Sequence, residues 1–513
     1  MNLAFLGTNK ASEWFDRLAA TLNLTDARYE AADRSYRSLS TWLERDGSLF
    51  TEIDFSVYSQ GSFRLGTAIQ PFNQDEDYDL DVVCEFPMSK RLFTQKQLHD
   101  MLGVELIAYA ARYSMQEPTP WNMCWTLNYA NDTKFHMDVL PCVPDGVRQR
   151  KLREEMNVSL DHVDKAVSIT HKLHPNFPKI SDEWPTSNPN GYASWFYERM
   201  KPVFDARRQA IMLVEDKANT ADIPEFRVRT PLQLAIQVLK RHRDVCFSGG
   251  ANTYRPTSIV ITTLAAHAYQ QETTVLEALL GVLRRMDQFI VRSGSAYMIV
   301  NPSDPRENFA DAWNENKNKA DAFLDWLETA RSDFTQAATG TSLENFIELL
   351  APRLGRELVE SALVTTDATK AGLIGRARSA LQKLLDAPHK KPLSWPLTQS
   401  GVVSIVSVKA LRSGFRSIDI SNNNNVERGA SLTFEAKTNV SSPFDVYWQI
   451  VNTGDAAKAA GDLRGTFEHP RSEHGHLVRR ENTKYPGTHS IECFIVKDGY
   501  CVARSGVFIV NIN

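Results

Sequence analysis

Two aspartates spaced two residues apart inside an apolar strand constrain this 513-residue chain more than any other feature. They are Asp79 and Asp81, in the run YDLDVVCEF (78–86). Successive side chains of a strand point to opposite faces, so the pair shares one face while Leu80 and Val82 take the other. Two carboxylates held together repel each other, which makes each harder to ionise. A divalent cation relieves that repulsion. Upstream, Gly61-Ser62 reads as a turn offering backbone N–H groups and a hydroxyl, donors that suit a phosphate. Metal-binding acids beside a phosphate-binding turn point to phosphoryl or nucleotidyl transfer. Asp75, Glu76 and Asp77 read as a solvated acidic loop, but that reading does not extend to two acids set among Leu80, Val82 and Val83.

A third acid stands further on. The stretch KFHMDVLPCVP (134–144) alternates, with Phe135, Met137 and Val139 on one side and His136 and Asp138 on the other. Together with residues 125–131 it reads as a strand pair around an Asn-Asp turn. Asp138 is therefore a strand carboxylate able to join Asp79 and Asp81. By itself it would read as a solvated or capping residue.

Apolar periodicity predicts helices over residues 9–48, 94–113, 193–215, 275–290 and much of 316–386. PLQLAIQVLKRHRD (231–244) has Thr230 as N-cap and Pro231 at its first position. Its expected buried face is Leu232, Ile236 and Leu239, with Lys240, Arg241 and Arg243 favoured near its C-terminus by the helix dipole. TSIVITTLAAHAY (257–269) reads as a buried helix with Ser258 near its start. Residues 169–197 read as a long loop or lid, and NPSDPRENFADAW (301–313) as a polar turn before a helix.

The chain is too long for one ordinary core. A proline-rich stretch at 387–401 reads as a linker. Beyond it the texture changes to short alternating runs, and Lys497-Asp498-Gly499 marks a hairpin. The expected architecture is α+β: a domain at 1–386, a linker at 387–425 and a small β-sandwich at 426–513. Within the first, a sheet-containing lobe covers about 45–150, and a helical lobe covers about 190–386 with the N-terminal helices.

Composition narrows the function classes. At 42% hydrophobic and 23% charged the chain is of globular type, and its net charge of −4 argues against a globally basic nucleic-acid platform. No apolar run is long enough for a bilayer, and the N-terminal residues lack the pattern of a signal peptide. The six cysteines contain no CxxC pair, so neither a zinc site nor a disulfide framework is indicated, and a cytoplasmic location is expected.

GSFRLGT, the DYDLD pair and the HMDVLP strand together resemble the nucleotidyltransferase superfamily shared with DNA polymerase beta. In detail they resemble the bacterial cGAS/DncV-like nucleotidyltransferases, the CD-NTases or SMODS family, whose pattern GSFxxGTxIxPxNxDxDYDLD residues 61–81 follow. LKRHRD, RPTSIVITTLA and NPSDPRENFADAW are also similar to segments of that family. The C-terminal module, through VYWQIVNTGDAA, LRGTF, ENTKYPGTHSIECFI and CVARSGVFIVNI, resembles the adenylyl/guanylyl cyclase and SMODS sensor domain.

The resemblance implies a polymerase-beta-like lobe and a helical lobe, followed by a sensor-like domain. It implies a metal-dependent enzyme, with Mg²⁺ or Mn²⁺, that condenses ATP and other ribonucleoside triphosphates into a cyclic di- or trinucleotide second messenger for anti-phage (CBASS) signalling. The alternative is a non-cyclising nucleotidyltransferase acting on RNA or protein. Asp79 and Asp81 match the family's metal-ligand pair, and Asp138 its third acid, which helps to activate the attacking ribose hydroxyl; the resemblance implies that the three together hold the two metal ions of a two-metal mechanism. Gly61 and Ser62 match the turn that holds the donor triphosphate, and Lys240 and Ser258 the Lys and Ser that contact it. A regulatory ligand or partner protein is expected at the C-terminal domain, where Trp448, Tyr485 and His489 are available for stacking on a base, although aromatic residues in a small sandwich are usually core.

Overall fold

The structure, a computed structural model, describes residues 9–70, 78–129, 135–214, 224–248, 251–340, 342–364 and 387–512 apart from 388, 397, 399–400, 413–416, 421–424, 454 and 470–476. The chain divides into two compact units. One joins Met1–Met200 to Pro231–Thr366; the other joins Lys201–Thr230 to Asp367–Asn513.

The first unit opens with helices α1 (Asn9–Leu22) and α2 (Asp26–Glu44), the latter capped by Thr25, whose side chain accepts from Arg28 N. Strand β1 (Ser56–Ser59) leads into a single helical turn, α3 (Gly61–Arg64), where the sequence predicts a plain turn. After β2 (Tyr78–Glu85) comes α4 (Gln95–Arg112), started by a complete Thr94/Gln97 capping box. Then follow β3 (Thr119–Pro120), β4 (Trp125–Tyr129), β5 (Phe135–Pro144), α5 (Gly146–Glu155), β6 (Val167–Ile169) and β7 (Thr186–Ser187).

These strands form one sheet in the order β1-β2-β5-β4-β3, with β6 pairing both β5 and β7. Only β2–β5 is parallel; the other pairings in this sheet are antiparallel. The sheet thus runs to Ser187, past the expected limit near 150, and the stretch read as a loop supplies its last strand, β7. The Asn131-Asp132 turn and the Asp75–Asp77 approach lie outside the described residues.

Leu80, Val82, Met137 and Val139 are fully buried, as the alternation requires. α4 packs on that face so closely that a side chain at Gly103 would overlap the Trp125 ring. The opposite face carries the acids.

The rest of the unit is mostly helical. It holds the first part of α6 (Pro189–Val214), then α7 (Pro231–Cys246), α8 (Ser258–Ala268) and α9 (Val275–Arg285). Two hairpins follow, β8 (Val291–Ser293) with β9 (Ala296–Met298), and β10 (Val300–Asn301) with β11 (Asp304–Asn308). The second falls where the sequence predicts a polar turn. The unit ends with α10 (Asp311–Glu315), α11 (Lys317–Thr339), α12 (Leu343–Leu354) and α13 (Arg356–Val364). α1 belongs to this helical core through Phe15, whose ring centroid lies 5.0 Å from that of Phe346.

The C-terminal strands are β12 (Val403–Leu411), β13 (Ile418–Asp419), β14 (Asn425–Val426), β15 (Ser431–Thr438), β16 (Asp445–Asn452), β17 (Phe467–Glu468), β18 (Val478–Asn482), β19 (Gly487–Lys497), β20 (Tyr500–Arg504) and β21 (Phe508–Ile512). They form two sheets, β13-β12-β15-β18 and β14-β21-β19-β16-β17 with β20 on β19. Both contribute to one core around Trp448, Phe434, Ile495 and Val510. The expected hairpin is present, Lys497 pairing with Tyr500 across Asp498 and Gly499, both at positive φ. The expected linker needs correction. β12 lies inside 387–425, yet it pairs with β15 from Val403 to Leu411, because its buried Val403, Val408 and Ala410 supply part of the sandwich core.

Candidate active site

In the parallel β2–β5 pair, Asp81 stands directly across from Asp138, and Asp79 across from His136. The strand alternation puts all three acids on the face away from α4. Asp79 is exposed; Asp81 and Asp138 are half-buried. The carboxyl of Asp81 is pushed up to about 7, by burial first, then by Asp138 and Asp79, with Lys240 pulling the other way. Thr126, opposite Asp138 on β4, donates its hydroxyl hydrogen to Asp138 Oδ1 and so fixes one carboxylate oxygen.

The Gly61-Ser62 turn lies against these acids. Gln60 N donates to Asp81 O at 2.8 Å. Gly61 has φ +61°, and a Cβ there would overlap Asp81 Oδ2. Both the backbone conformation and the close approach require glycine. Phe63 anchors the turn, its ring centroid 4.6 Å from that of Tyr29.

Lys240 joins from α7. It is 6% exposed and donates to Thr67 O at 3.0 Å. Its ammonium is pulled down to about 8, by burial first and then by Arg243, while Asp244, Asp81 and Asp79 oppose the shift. Ser258 stands differently. It opens α8 and accepts a hydrogen bond from Arg243 Nη1 at 3.0 Å, and among the described interactions none joins it to the acids.

Burial and two neighbouring acids raise the pKa of Asp81, and hard oxygen donors placed in this way fit a divalent ion. Among the described residues, no three His, Cys, Asp or Glu side chains already form an ion cage. The two facts agree for Mg²⁺, which commonly takes one or two carboxylates and completes its shell with substrate phosphate and water.

In the C-terminal unit, Trp448 is fully buried in the sandwich core, which corrects its reading as a base-stacking candidate. Tyr485 and His489 instead line a cavity of about 450 Å³, with Arg464, Glu468, Arg479 and Glu481 in its wall. Burial lowers the pKa of His489, and its Nε2 is 2.8 Å from Tyr485 O.

Residues 55–141 match the family of the nucleotidyltransferase domain of the cyclic GMP-AMP synthase DncV and its relatives. Residues 386–513 match the adenylyl/guanylyl and SMODS C-terminal sensor domain. The chain is 25% identical over 346 residues to a c-di-GMP synthase of Roseivirga ehrenbergii, covering 66% of this chain and 83% of the relative. The chain therefore carries a DncV-like nucleotidyltransferase domain and a SMODS-type sensor domain, and is similar to cyclic dinucleotide synthases.

The chain is also 24% identical over 356 residues to the cyclic dinucleotide synthase CdnG of Bradyrhizobium diazoefficiens, covering 67% of this chain and 80% of that protein. The solved structure of that CdnG in complex with GTP superposes with a TM-score of 0.54 at 20% identity, over 69% of this chain and 98% of the other. The fold is therefore shared, and the matched domain makes the chain a nucleotidyltransferase of a type that uses divalent metal ions. No helix among the described residues is long and apolar enough to cross a membrane.

Proposed function

We propose that this chain condenses ribonucleoside triphosphates into a cyclic dinucleotide. The observation that carries the reading is the Asp81–Asp138 register, which sets two carboxylates side by side next to a glycine turn, with the pKa of Asp81 raised. Asp79 and Asp81 are the residues to hold a divalent ion; Mg²⁺ or Mn²⁺ bound there supplies positive charge to the triphosphate and the departing pyrophosphate.

The chain's own groups do the rest. The Gly61-Ser62 turn and Lys240 receive the triphosphate, and Ser258 is held at the start of α8 to contact it. Asp138, with one oxygen occupied by Thr126, presents the other to the ribose hydroxyl of the acceptor. That hydroxyl loses its proton to the carboxylate and attacks the α-phosphorus. A new phosphorus–oxygen bond forms as the bond to the pyrophosphate oxygen breaks. A second transfer within the linear product closes the ring. The sensor-like domain is the place for a regulatory ligand or partner. The messenger would act in anti-phage signalling in the cytoplasm.

The test is incubation of the purified chain with the four ribonucleoside triphosphates and Mg²⁺ or Mn²⁺, then phosphatase treatment and mass spectrometry. A phosphatase-resistant species at the mass of two nucleotides supports the proposal. Products that remain phosphatase-sensitive, or that extend, overturn cyclisation.

A further inference from the structure

The segment after α3 makes little regular structure of its own. Its amides turn inward: Leu65 N donates to Gly61 O at 3.1 Å, and Thr67 N and Ala68 N donate to Ser62 O at 2.9 and 3.1 Å. Its carbonyls are taken by α7. Gln233 Nε2 donates to Leu65 O at 2.9 Å. Gln237 Nε2 donates to Ala68 O at 2.8 Å and to Gly66 O at 3.4 Å. Lys240 Nζ reaches Thr67 O at 3.0 Å, and Arg241 Nη2 reaches Gln70 O at 2.6 Å.

These four donors follow the spacing of one helix face. All are buried, with Gln237 at 0% exposure. A row of polar side chains inside a helical core is costly unless each finds a partner. Apolar residues would fill the same volume without that cost. What the row achieves is to take up the buried carbonyls of a non-repetitive segment.

We infer that Gln233 and Gln237 are positioning residues for nucleotidyl transfer, an inference that rests on the function proposed above. Gln237 is central. The two carbonyls it binds flank Thr67, whose own carbonyl holds Lys240. The same segment binds back to Ser62. One glutamine thus fixes, through the segment, both the turn and the ammonium beside Asp81. Removing its donor frees the two to shift relative to the acids, and transfer depends steeply on alignment.

The experiment uses the full chain with Gln237→Met, which keeps the length and removes the donors. Thr274→Ala serves as the control, since it removes only the cap that accepts from Glu277 N at the start of α9. The readouts are kcat for product, Kd for a non-hydrolysable GTP analogue with Mg²⁺, and melting temperature. Gln237→Met is expected to lower kcat by about 100-fold and weaken analogue binding by about tenfold. Two buried carbonyls lose their donor in Gln237→Met, so its melting temperature should fall further than that of Thr274→Ala; both variants are assayed well below their melting temperatures, where Thr274→Ala keeps the wild-type kcat.

Unchanged kcat and Kd in Gln237→Met overturn the inference. If the wild type binds the analogue but makes no cyclic product, the proposed function fails by itself, and the Kd ratio still decides the role of Gln237. A wild type that neither binds nor turns over overturns both.

Discussion

Asp81 on β2 and Asp138 on β5 are direct partners in a parallel strand pair. Their side chains therefore lie on the same face of the sheet, one strand spacing apart. Lys240 only partly offsets the effect of burial and the two neighbouring acids on Asp81. Such an arrangement disfavours the folded state of the metal-free protein. It is understandable as a ligand set that waits for a doubly charged ion.

Replacing Asp79 and Asp81 together by Asn should abolish product while the protein stays folded. Because the substitution removes repulsion, the melting temperature of the metal-free protein should rise at pH 8. The check is product mass spectrometry beside a thermal scan. Full activity in the double variant sinks the metal assignment.

Stability of the metal-free protein should depend on pH in a definite direction. The folded-state pKa of Asp81, about 7, lies above its ordinary 3.8. Between those values the folded state binds the extra proton, so stability falls as pH rises through this window. The loss is on the order of a few kcal/mol at most. Below pH 4 both states are protonated and the effect vanishes. Mg²⁺ competes with that proton, so its stabilisation of the protein should grow from pH 5 to pH 8. Thermal scans with EDTA or Mg²⁺ at three pH values test this; Mg²⁺ stabilisation that is equal at pH 5 and pH 8 would count against it.

The strand acids were legible in the sequence because a period of two is unambiguous when Leu80, Val82, Met137 and Val139 fill the other positions. α7 was legible at its start, through Thr230 and Pro231, and its expected apolar face is buried. Its function was not. The helix is buried on all sides, so the polar row Gln233, Gln237, Lys240 belongs to a second interior face that a one-stripe reading treats as solvent-facing. A glutamine repeated at i, i+4 within an apolar helix was the available signal. β12 was missed for a different reason. The prolines before it set the expectation of a linker, while its pairing partners lie 20 to 35 residues downstream. Trp448 could not be assigned from composition, since a core ring and a stacking ring have the same local sequence.

Gly61→Ala should be far more damaging than an ordinary glycine substitution. Alanine at φ +61° costs about 1–2 kcal/mol from the backbone conformation alone. Its methyl group would also displace the Asp81 carboxylate. We expect product formation to fall by more than about tenfold, with a smaller loss of thermal stability. Gly47→Ala, at φ +81° with open space around it, carries the backbone cost without the clash and should leave activity intact. Comparable activities for the two variants would remove the steric argument.

The cavity wall of the C-terminal sandwich gives a further test. Arg479 and Glu481 occupy inward positions of β18, opposite Phe434 and Leu432, where a sandwich ordinarily places apolar residues. Arg464 and Arg479 each pair with both Glu468 and Glu481. Arg479→Met leaves two part-buried carboxylates with one guanidinium, and removing one partner of a buried ion pair costs roughly 3–5 kcal/mol. The expected loss lies at or below the low end, because Glu468 is 28% exposed. Adding Glu481→Gln to Arg479→Met restores one charge of each sign. The double variant should regain at least half of the lost stability in calorimetry of the full chain. A double variant less stable than Arg479→Met would show that Glu481 acts through hydrogen bonds to the remaining network rather than through charge balance.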